Sequence, residues 1–402
     1  MTEYLKTLLH DKATSVDFRP PDLPAIRRAG DRRIVGRRSL VALAGVAVVA
    51  VTVGSVAVFG SSPDRSPQPG SGTAGVWAVG GEIHDGSDTI DAGHVIHAFV
   101  RTSAGFVTVD GDGAVHSVTS TGDEAIGSLD LVAAVAMDAA VLVSDAPGSL
   151  VGWVGFQDGA PVLVTYDQAT DRFLERHAVP GASAGDVRYR AIDGRTGYFS
   201  GPAGLYAFDL DNGAETLLRS ATAVPHYRLD SVENGMLAFA RVDEPRAIFA
   251  GPSIEDAEEL YTIPAPDGNR QSDVDVPVVL SPTGDWLGLS VSEFEFGEQG
   301  DTLTYVDVRP RVYDTRTGEL VVLGLPDSTF GVASVWLTAT TLQVLLIDEF
   351  TMPIAEDEPI HASAYACSVP DGSCELVADF GSINSNARTP DAPMAPDGQW
   401  TD

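Results

Sequence analysis

The chain has 402 residues, and residues 61–402 contain no lysine. They carry 16 arginines against 52 acidic residues, a net charge of −36, whereas residues 1–38 have a net charge of +4. A surface this acidic disfavours nucleic acid and anionic lipid as partners. There is no P-loop or dinucleotide fingerprint, and we expect no cofactor. No amphipathic helix stands out after residue 75, which argues against a helical or α/β fold.

Residues 39–60 lack charge altogether, reading SLVALAGVAVVAVTVGSVAVFG. A helix of 22 residues rises about 33 Å, close to the thickness of a bilayer core. Four arginines lie among the seven residues before this segment, and only Arg65 follows it closely. The positive-inside rule then puts the N-terminus in the cytoplasm and the rest outside the cell membrane. We predict four parts: a cytoplasmic Arg-rich leader (1–38), a transmembrane helix (39–60), a Ser/Pro/Gly linker (61–75) and an outer domain (76–402).

A cleaved export signal is the alternative reading of the same segment. Arg37-Arg38-Ser39-Leu40-Val41 resembles a twin-arginine signal, and Ser55-Val56-Ala57 would serve as a cleavage site. Both readings place the outer domain outside the cytoplasm. The leader carries apolar residues at helical spacing, which fits either a helix on the inner membrane surface or a docking helix for a cytoplasmic regulator.

The outer domain consists of short Val-, Leu- and aromatic-rich runs separated by Gly, Pro and Asp, a pattern typical of all-β domains. Its turns recur: Tyr166-Asp-Gln-Ala-Thr-Asp171 matches Phe208-Asp-Leu-Asp-Asn-Gly213 and Tyr313-Asp-Thr-Arg-Thr-Gly318. With weaker copies near 117, 249 and 367, the spacings are 41 to 64 residues. Such periods indicate a repeated unit, and four short strands per unit predict a β-propeller.

The fifth repeat shows these strands at 276–281, 286–294, 304–314 and 319–325, with the turn Ser281-Pro-Thr-Gly284 after the first. It resembles WD40-like and PD40-type propeller blades, and this resemblance covers most of residues 92–402. The segment from Pro393 to Trp400 repeats Val279 to Trp286, so the C-terminus begins a seventh blade. We expect residues 76–91 to supply its missing outer strands, which would remove free sheet edges. A six-bladed ring is the alternative.

Cys367 and Cys374 flank the turn centred on Pro370-Asp371-Gly372. A hairpin places the two thiols opposite each other, and outside the cytoplasm such a pair oxidises. We predict a disulfide. Two thiols without further soft ligands make a poor zinc site.

The fifth and sixth repeats are longer than the others, and the excess lies between their second and third strands. Loops at that position emerge on one face of a propeller, and insertions on one face often mark a binding surface. Solvated loops of a very acidic domain are the favoured interpretation, and a ligand, cation or partner site is the other. The candidate rim residues are Glu293, Phe294, Glu295, Phe296, Glu298, Asp301, Asp348, Glu349, Phe350, Glu356, Asp357 and Glu358.

Catalytic and metal-binding motifs are weak in this sequence. Gly181-Ala-Ser183-Ala-Gly185 fits G-x-S-x-G but lies in a connector between blades, without the strand-to-helix context of a nucleophile. His94 and His97 would face opposite sides of a strand and therefore not share a metal. Asp110-Gly-Asp112-Gly is half of a calcium loop and fits a tight turn better. We predict neither catalytic residues nor a metal site.

The layout favours a membrane-anchored extracytoplasmic propeller that acts as a recognition, scaffold or sensor module without catalysis. It is similar to actinobacterial single-pass proteins with a WD40-like domain, some of which resemble partners of extracytoplasmic-function sigma factors. The leader lacks a His/Cys zinc cluster of the anti-sigma type, so that resemblance transfers no residue role. Expected partners are the cell membrane, an extracytoplasmic protein or glycan, and a cytoplasmic regulator. The alternative function is an extracytoplasmic propeller enzyme acting on glycans, a hydrolase or lyase.

Overall fold

The computed structural model describes residues 75–129, 140–145, 147–179, 181–267, 270–296, 303–326, 330–347, 359–384 and 394–396. The predicted leader, transmembrane helix and most of the linker lie outside this part. Within it, no helix has the length and apolar character needed to span a bilayer.

Antiparallel strands make up each repeat in the described part of the chain, and the last two repeats are joined into one eight-stranded sheet by a parallel pair, Val308 with Phe330. The first three strands are β1 (Val76–Val79), β2 (Glu82–Asp85) and β3 (Asp88–Asp91). Blade 1 comprises β4 (Ala98–Thr102), β5 (Gly105–Val109), β6 (Ala114–Thr119) and β7 (Gly122–Ser128). Blade 2 comprises β8 (Val143–Ser144), β9 (Leu150–Gln157), β10 (Ala160–Asp167) and β11 (Arg172–Ala178). Blade 3 comprises β12 (Arg188–Asp193), β13 (Thr196–Gly201), β14 (Gly204–Asp209) and β15 (Glu215–Ser220).

The remaining blades follow the same strand order. Blade 4 comprises β16 (Tyr227–Glu233), β17 (Met236–Arg241), β18 (Ala247–Gly251) and β19 (Glu258–Thr262). Blade 5 comprises β20 (Arg270–Leu280), β21 (Trp286–Phe296), β22 (Leu303–Asp314) and β23 (Leu320–Val321). Blade 6 comprises β24 (Phe330–Thr338), β25 (Thr341–Ile347), β26 (Pro359–Ser368) and β27 (Cys374–Asn384). A short 3-10 helix, Ala184–Asp186, connects blades 2 and 3, so the G-x-S-x-G segment does lie in a connector.

The seventh blade is assembled from both ends of the described chain. Met394 forms an antiparallel bridge with Ala78 of β1, and their backbone amides and carbonyls bond in both directions at 2.8 and 3.0 Å. Strands β1, β2 and β3 then follow in order away from that bridge. The structure therefore confirms an all-β propeller with seven blades and excludes the six-bladed alternative. Residues 76–91 supply the outer strands, as expected.

The recurring turns join the third and fourth strands of each blade, where the sequence predicted them. At the end of three of these turns the backbone has positive φ, at Asp171, Gly213 and Gly318 (51°, 69° and 68°). Asp167, Asp209 and Asp314 accept backbone N–H groups within the same turns. An aspartate cap followed by a left-handed residue is what the repeated motif encodes.

Hydrophobic clusters lie between consecutive blades. Val107 and Val115 of blade 1 pack with Trp153 and Tyr166 of blade 2 in one buried cluster. Equivalent clusters join blades 2 and 3, 3 and 4, 4 and 5, 5 and 6, and 7 and 1. Strands such as β10 have nearly every side chain buried because a neighbouring sheet covers each face.

The two cysteines form the predicted disulfide across the β26–β27 turn. They are direct cross-strand partners in the register of the two strands. The disulfide therefore clips the outer hairpin of blade 6.

Candidate functional site

Blade 5 carries the first half of the predicted rim on strands rather than in a loop. Strand β21 continues to Phe296, and Phe296 is paired with Leu303 at the start of β22. Strand β20 extends alongside, with Arg270 opposite Glu295. Glu293, Phe294, Glu295 and Phe296 thus belong to a three-stranded extension, and the sequence placed the strand end about two residues too early. Glu298 and Asp301 lie outside the described residues.

Two phenylalanines lie near the end of this extension, with ring centroids 5.5 Å apart in an edge-on arrangement. Phe294 is buried, while Phe296 is 38% exposed. The blade 6 half of the predicted rim follows β25 and precedes β26, at the equivalent position of the next blade. Its residues, Asp348, Glu349, Phe350, Glu356, Asp357 and Glu358, lie outside the described part, and binding at the rim stays a prediction.

Three acidic residues that the sequence analysis did not single out lie at or just after the ends of the first strands of blades 2 to 4. They are Asp145, Asp193 and Glu233. The first strands of neighbouring blades contact each other, so these residues lie towards the centre of the ring. Asp193 accepts the backbone N–H groups of Asn234 (3.1 Å) and Gly235 (2.6 Å) in the next blade. Burial, together with the charges of Asp145 and Asp193, raises the pKa of Glu233 to about 9. Glu233 therefore holds its proton at neutral pH.

A second polar cluster lies on blade 1, on the face turned away from blade 2. Val107 and Val109 of β5 face blade 2, so the alternation of the strand turns Thr108 to the opposite face. His116 of β6 is the direct cross-strand partner of Thr108. Asp123 of β7 pairs with Val118, two positions from His116, which makes Asp123 its diagonal neighbour. Three adjacent strands thus place Thr108, His116 and Asp123 on one face.

His94 covers this row from the connector between β3 and β4. The connector is held against the β1–β2 turn by two hydrogen bonds, from the Ala92 amide to the Gly81 carbonyl (2.8 Å) and from Ile96 to Gly80 (2.7 Å). The His94 ring stacks on the His116 ring with centroids 3.9 Å apart. Both histidines are mostly buried, with side chains 13% and 12% exposed, and Asp123 is 28% exposed. The cluster is therefore covered by protein and open to solvent on the Asp123 side.

In each histidine, one ring nitrogen lies near Thr108 or Asp110, and the other nitrogen lies near Asp123. Nε2 of His94 lies 2.8 Å from Thr108 Oγ1, and Nε2 of His116 lies 3.2 Å from Asp110 Oδ2. Nδ1 of His116 lies 3.1 Å from Asp123 Oδ1. Nδ1 of His94 is buried without a hydrogen-bond partner, 3.6 Å from Asp123 Oδ2. One carboxylate therefore faces two imidazole nitrogens.

The pKa values of His94 and Asp110 are both lowered, which favours the unprotonated forms of these two side chains. Burial, and then the neighbouring His116, lowers the pKa of His94. Burial opposes ionisation of Asp110, but the Ala114 amide, His116 and the Asp112 amide outweigh it and lower the pKa of that carboxyl. At neutral pH the cluster therefore contains the neutral imidazole of His94 and the ionised carboxylate of Asp110.

The grouping leaves no local mark in the sequence because its members are far apart along the chain. His94 was considered with His97 as a His-x-x-His pair, and His94 lies in a connector rather than in the strand assumed for it. Among the described residues, its companions are His116 and Asp123, 22 and 29 positions further on. The polar alternation of β5, β6 and β7 was the signal available, and it becomes useful only once their register is known.

No family model matches the chain, and no curated protein matches it. Among solved structures, a putative TolB from Agrobacterium tumefaciens is 11% identical, with a TM-score of 0.36, over 65% of this chain and 88% of that one. An oligogalacturonate lyase from Vibrio parahaemolyticus is 11% identical, with a TM-score of 0.43, over 71% and 79%. The tricorn protease is 10% identical, with a TM-score of 0.41, over 79% of this chain and 32% of its own. Similarity at this level transfers neither activity nor substrate to this chain.

Proposed function

We propose that this protein is a membrane-anchored, extracytoplasmic recognition module whose seven-bladed propeller binds a cationic protein surface at the rim of blades 5 and 6. The observation that supports this proposal most strongly is the length of the strands in blades 5 and 6. Strands β20, β21 and β22 have 11, 11 and 12 residues, and β26 and β27 have 10 and 11, whereas the strands of blade 3 have six each. Blade 5 therefore extends beyond the equivalent hairpins of blades 1 to 4.

The composition of this rim supports a positively charged partner. Nine of the twelve rim residues are acidic, and the others are phenylalanines. Carboxylates around an aromatic centre suit a surface that supplies Arg or Lys, because complementary charges speed association and aromatic residues supply contact area. The Phe294–Phe296 pair provides such a centre at the end of the described hairpin.

The location outside the cytoplasm is supported by two independent features. The arginines that precede the uncharged segment favour export of the residues on its C-terminal side. The Cys367–Cys374 disulfide fits an oxidising compartment. Digestion of intact cells with an added protease tests this location: we expect loss of the propeller and survival of the leader. A propeller that stays protected until the cells are lysed would contradict it.

Site-specific cross-linking tests the recognition surface. A photoreactive amino acid at Phe296 should capture a basic extracytoplasmic protein in intact cells, with a yield that falls as salt is added. The matched control is Leu217 of β15, which is 50% exposed on blade 3. Equal capture from both positions, or no adduct from Phe296, would overturn the proposal.

The alternative is a glycan hydrolase or lyase that uses the acids near the ring centre. One observation favours it, since a protonated Glu233 near Asp145 and Asp193 is the arrangement of a general acid beside carboxylates. The two amide bonds to Asp193 instead give that carboxylate a structural role between blades. Cleavage of acidic or neutral glycans by the purified chain, abolished in Glu233→Gln, would support the enzyme over the recognition module.

A further inference from the structure

We infer that His94, His116 and Asp123 bind one Zn²⁺ ion at the junction of blades 7 and 1. The sequence predicted no metal site, and nothing in the proposed function requires one. The geometry of the three side chains and the partners of their other atoms both point to such a site.

The two spacings between an imidazole nitrogen and the Asp123 carboxylate fit a zinc coordination sphere. With Zn–N and Zn–O bonds near 2.0–2.1 Å, neighbouring tetrahedral ligands lie about 3.3 Å apart. The two Nδ1-to-carboxylate distances, 3.1 Å for His116 and 3.6 Å for His94, bracket that value. One ligand atom from each of the three residues lies within 4.8 Å of the others.

The number of N–H groups on His116 also favours a cation at this position. A neutral imidazole has one N–H, so it donates to one acceptor only. His116 has a carboxylate oxygen at each nitrogen, Asp110 at 3.2 Å and Asp123 at 3.1 Å. When Nε2 donates to Asp110, the Nδ1 lone pair faces the Asp123 carboxylate. The buried Nδ1 of His94 meets the same carboxylate without a hydrogen bond. A cation between them satisfies all three groups.

The surroundings are those of a metal centre with oriented ligands. Metal-binding histidines usually donate their second nitrogen to a carboxylate or another oxygen, which fixes the ring and its tautomer. Asp110 is the oxygen partner of Nε2 in His116, and Thr108 is the oxygen partner of Nε2 in His94. Asp110 is itself held by the amides of Asp112 and Ala114 at 2.9 and 2.8 Å. The Asp110 turn, half of a calcium loop by sequence, thus has a role behind the ligands.

The ligand set selects the class of ion. Two imidazole nitrogens and one carboxylate suit zinc and its transition-metal neighbours, whereas Ca²⁺ and Mg²⁺ take mainly oxygen ligands. Three protein ligands leave a fourth position, and Asp123 is the most exposed of the three. Water completes the sphere from that side.

The position of the site gives the ion a structural consequence. His94 belongs to the connector that leaves β3 of the closing blade, while His116 and Asp123 belong to β6 and β7 of blade 1. Zinc therefore fastens the N-terminal strands of the ring to the blade next to them in the chain.

A direct titration tests the inference. The full-length chain, purified in detergent with a histidine-free tag and stripped with chelator, is titrated with Zn²⁺ against a chromophoric zinc chelator. We expect one equivalent to bind, Co²⁺ to give the visible absorption of a four-coordinate site, and Ca²⁺ and Mg²⁺ not to compete. Failure of the wild-type chain to bind Zn²⁺ at neutral pH would overturn the inference.

Variants locate the site. His116→Ala and Asp123→Asn should each abolish the Co²⁺ spectrum, and Asp110→Asn should weaken Zn²⁺ binding by about 10–100-fold. The matched control is His226→Ala, because His226 Nδ1 also lies 3.0 Å from an aspartate, Asp243, but has no second histidine beside it among the described residues. Circular dichroism of each variant checks folding. Zinc binding that is unchanged in His116→Ala, or lost in His226→Ala, would refute the assignment.

Discussion

The joints between consecutive blades differ from the joint that closes the ring. Blades 1 and 2 meet through a buried apolar cluster that includes Trp153, which is 1% exposed. Blade 6 meets the N-terminal strands through Gln343, whose amide is fully buried and bonds the backbone of Val76 in both directions, at 2.9 and 3.0 Å. Consecutive blades are brought together by the chain itself, and their apolar packing is accompanied by hydrogen bonds such as that from Gln168 to the Phe106 carbonyl. Strands from opposite ends of the ring need their register specified, and paired hydrogen bonds do so.

The largest expected effect is at a consecutive joint. Trp153→Ala should lower the free energy of unfolding by about 3–5 kcal/mol, since it leaves a cavity between blades 1 and 2. Trp77 is the matched probe at the closing joint, where its ring meets Phe380 of blade 6 edge-on at 5.6 Å. Trp77 is less buried, so Trp77→Ala should cost less, as measured by urea unfolding. A larger loss for Trp77→Ala would reverse the comparison.

Gln343→Leu should destabilise the chain by about 2–4 kcal/mol, because the N–H and C=O of Val76 lose their partners while the volume is kept. Gln168→Leu is the control, since buried Gln168 bonds the Phe106 carbonyl (2.8 Å) across the joint of blades 2 and 1. Hydrogen exchange distinguishes the two: β1 to β3 should exchange faster in Gln343→Leu only. Equal exchange in both variants would show that the closing joint has no special weakness.

Removal of the disulfide should have a smaller effect. The double variant Cys367→Ala/Cys374→Ala frees a short loop, and loop-closure entropy gives a loss of about 2 kcal/mol. Because the bond lies within blade 6, exchange should rise in β26 and β27 and not across the closing joint. Faster exchange in β1 to β3 would mean that the clip also supports ring closure.

The last expected effect has the opposite sign and depends on pH. Glu233 has a folded-state pKa of about 9, above its unfolded value of 4.5, so it favours the fold at low pH and loses that contribution as the pH rises towards 9. Glu233→Gln should therefore raise the free energy of unfolding at pH 8 and change it little at pH 4. Thermal melts across this range measure the change. The effect of Gln343→Leu should not vary with pH, since an amide does not titrate.

The architecture was predictable because its signals are local. Three of the repeated turns combine an aspartate that caps neighbouring amides with a residue of positive φ, and the chain shows both within six residues, as at Asp314 and Gly318. The disulfide was equally predictable, because a tight turn allows only one register between the two strands and so places the two cysteines opposite each other.

The polar groupings were not predictable because they depend on register and on contacts between blades. His94 meets His116 only after β5 to β7 have paired and the connector has folded over them. Gln343 looks like an ordinary polar residue in β25 until the strand from the other end of the chain lies beside it. The length of β21 was underestimated for a related reason, since its last pairs depend on the extension of β20.

The bridge between Ala78 and Met394 has a consequence for how the protein is made. A ribosome emits β1 to β3 more than three hundred residues before their inner neighbour exists. These strands keep an unpaired edge while the six blades that follow them form, and the ring closes only when Met394 is available. Synthesis interrupted before Met394 would thus yield a ring that is still open and prone to aggregation.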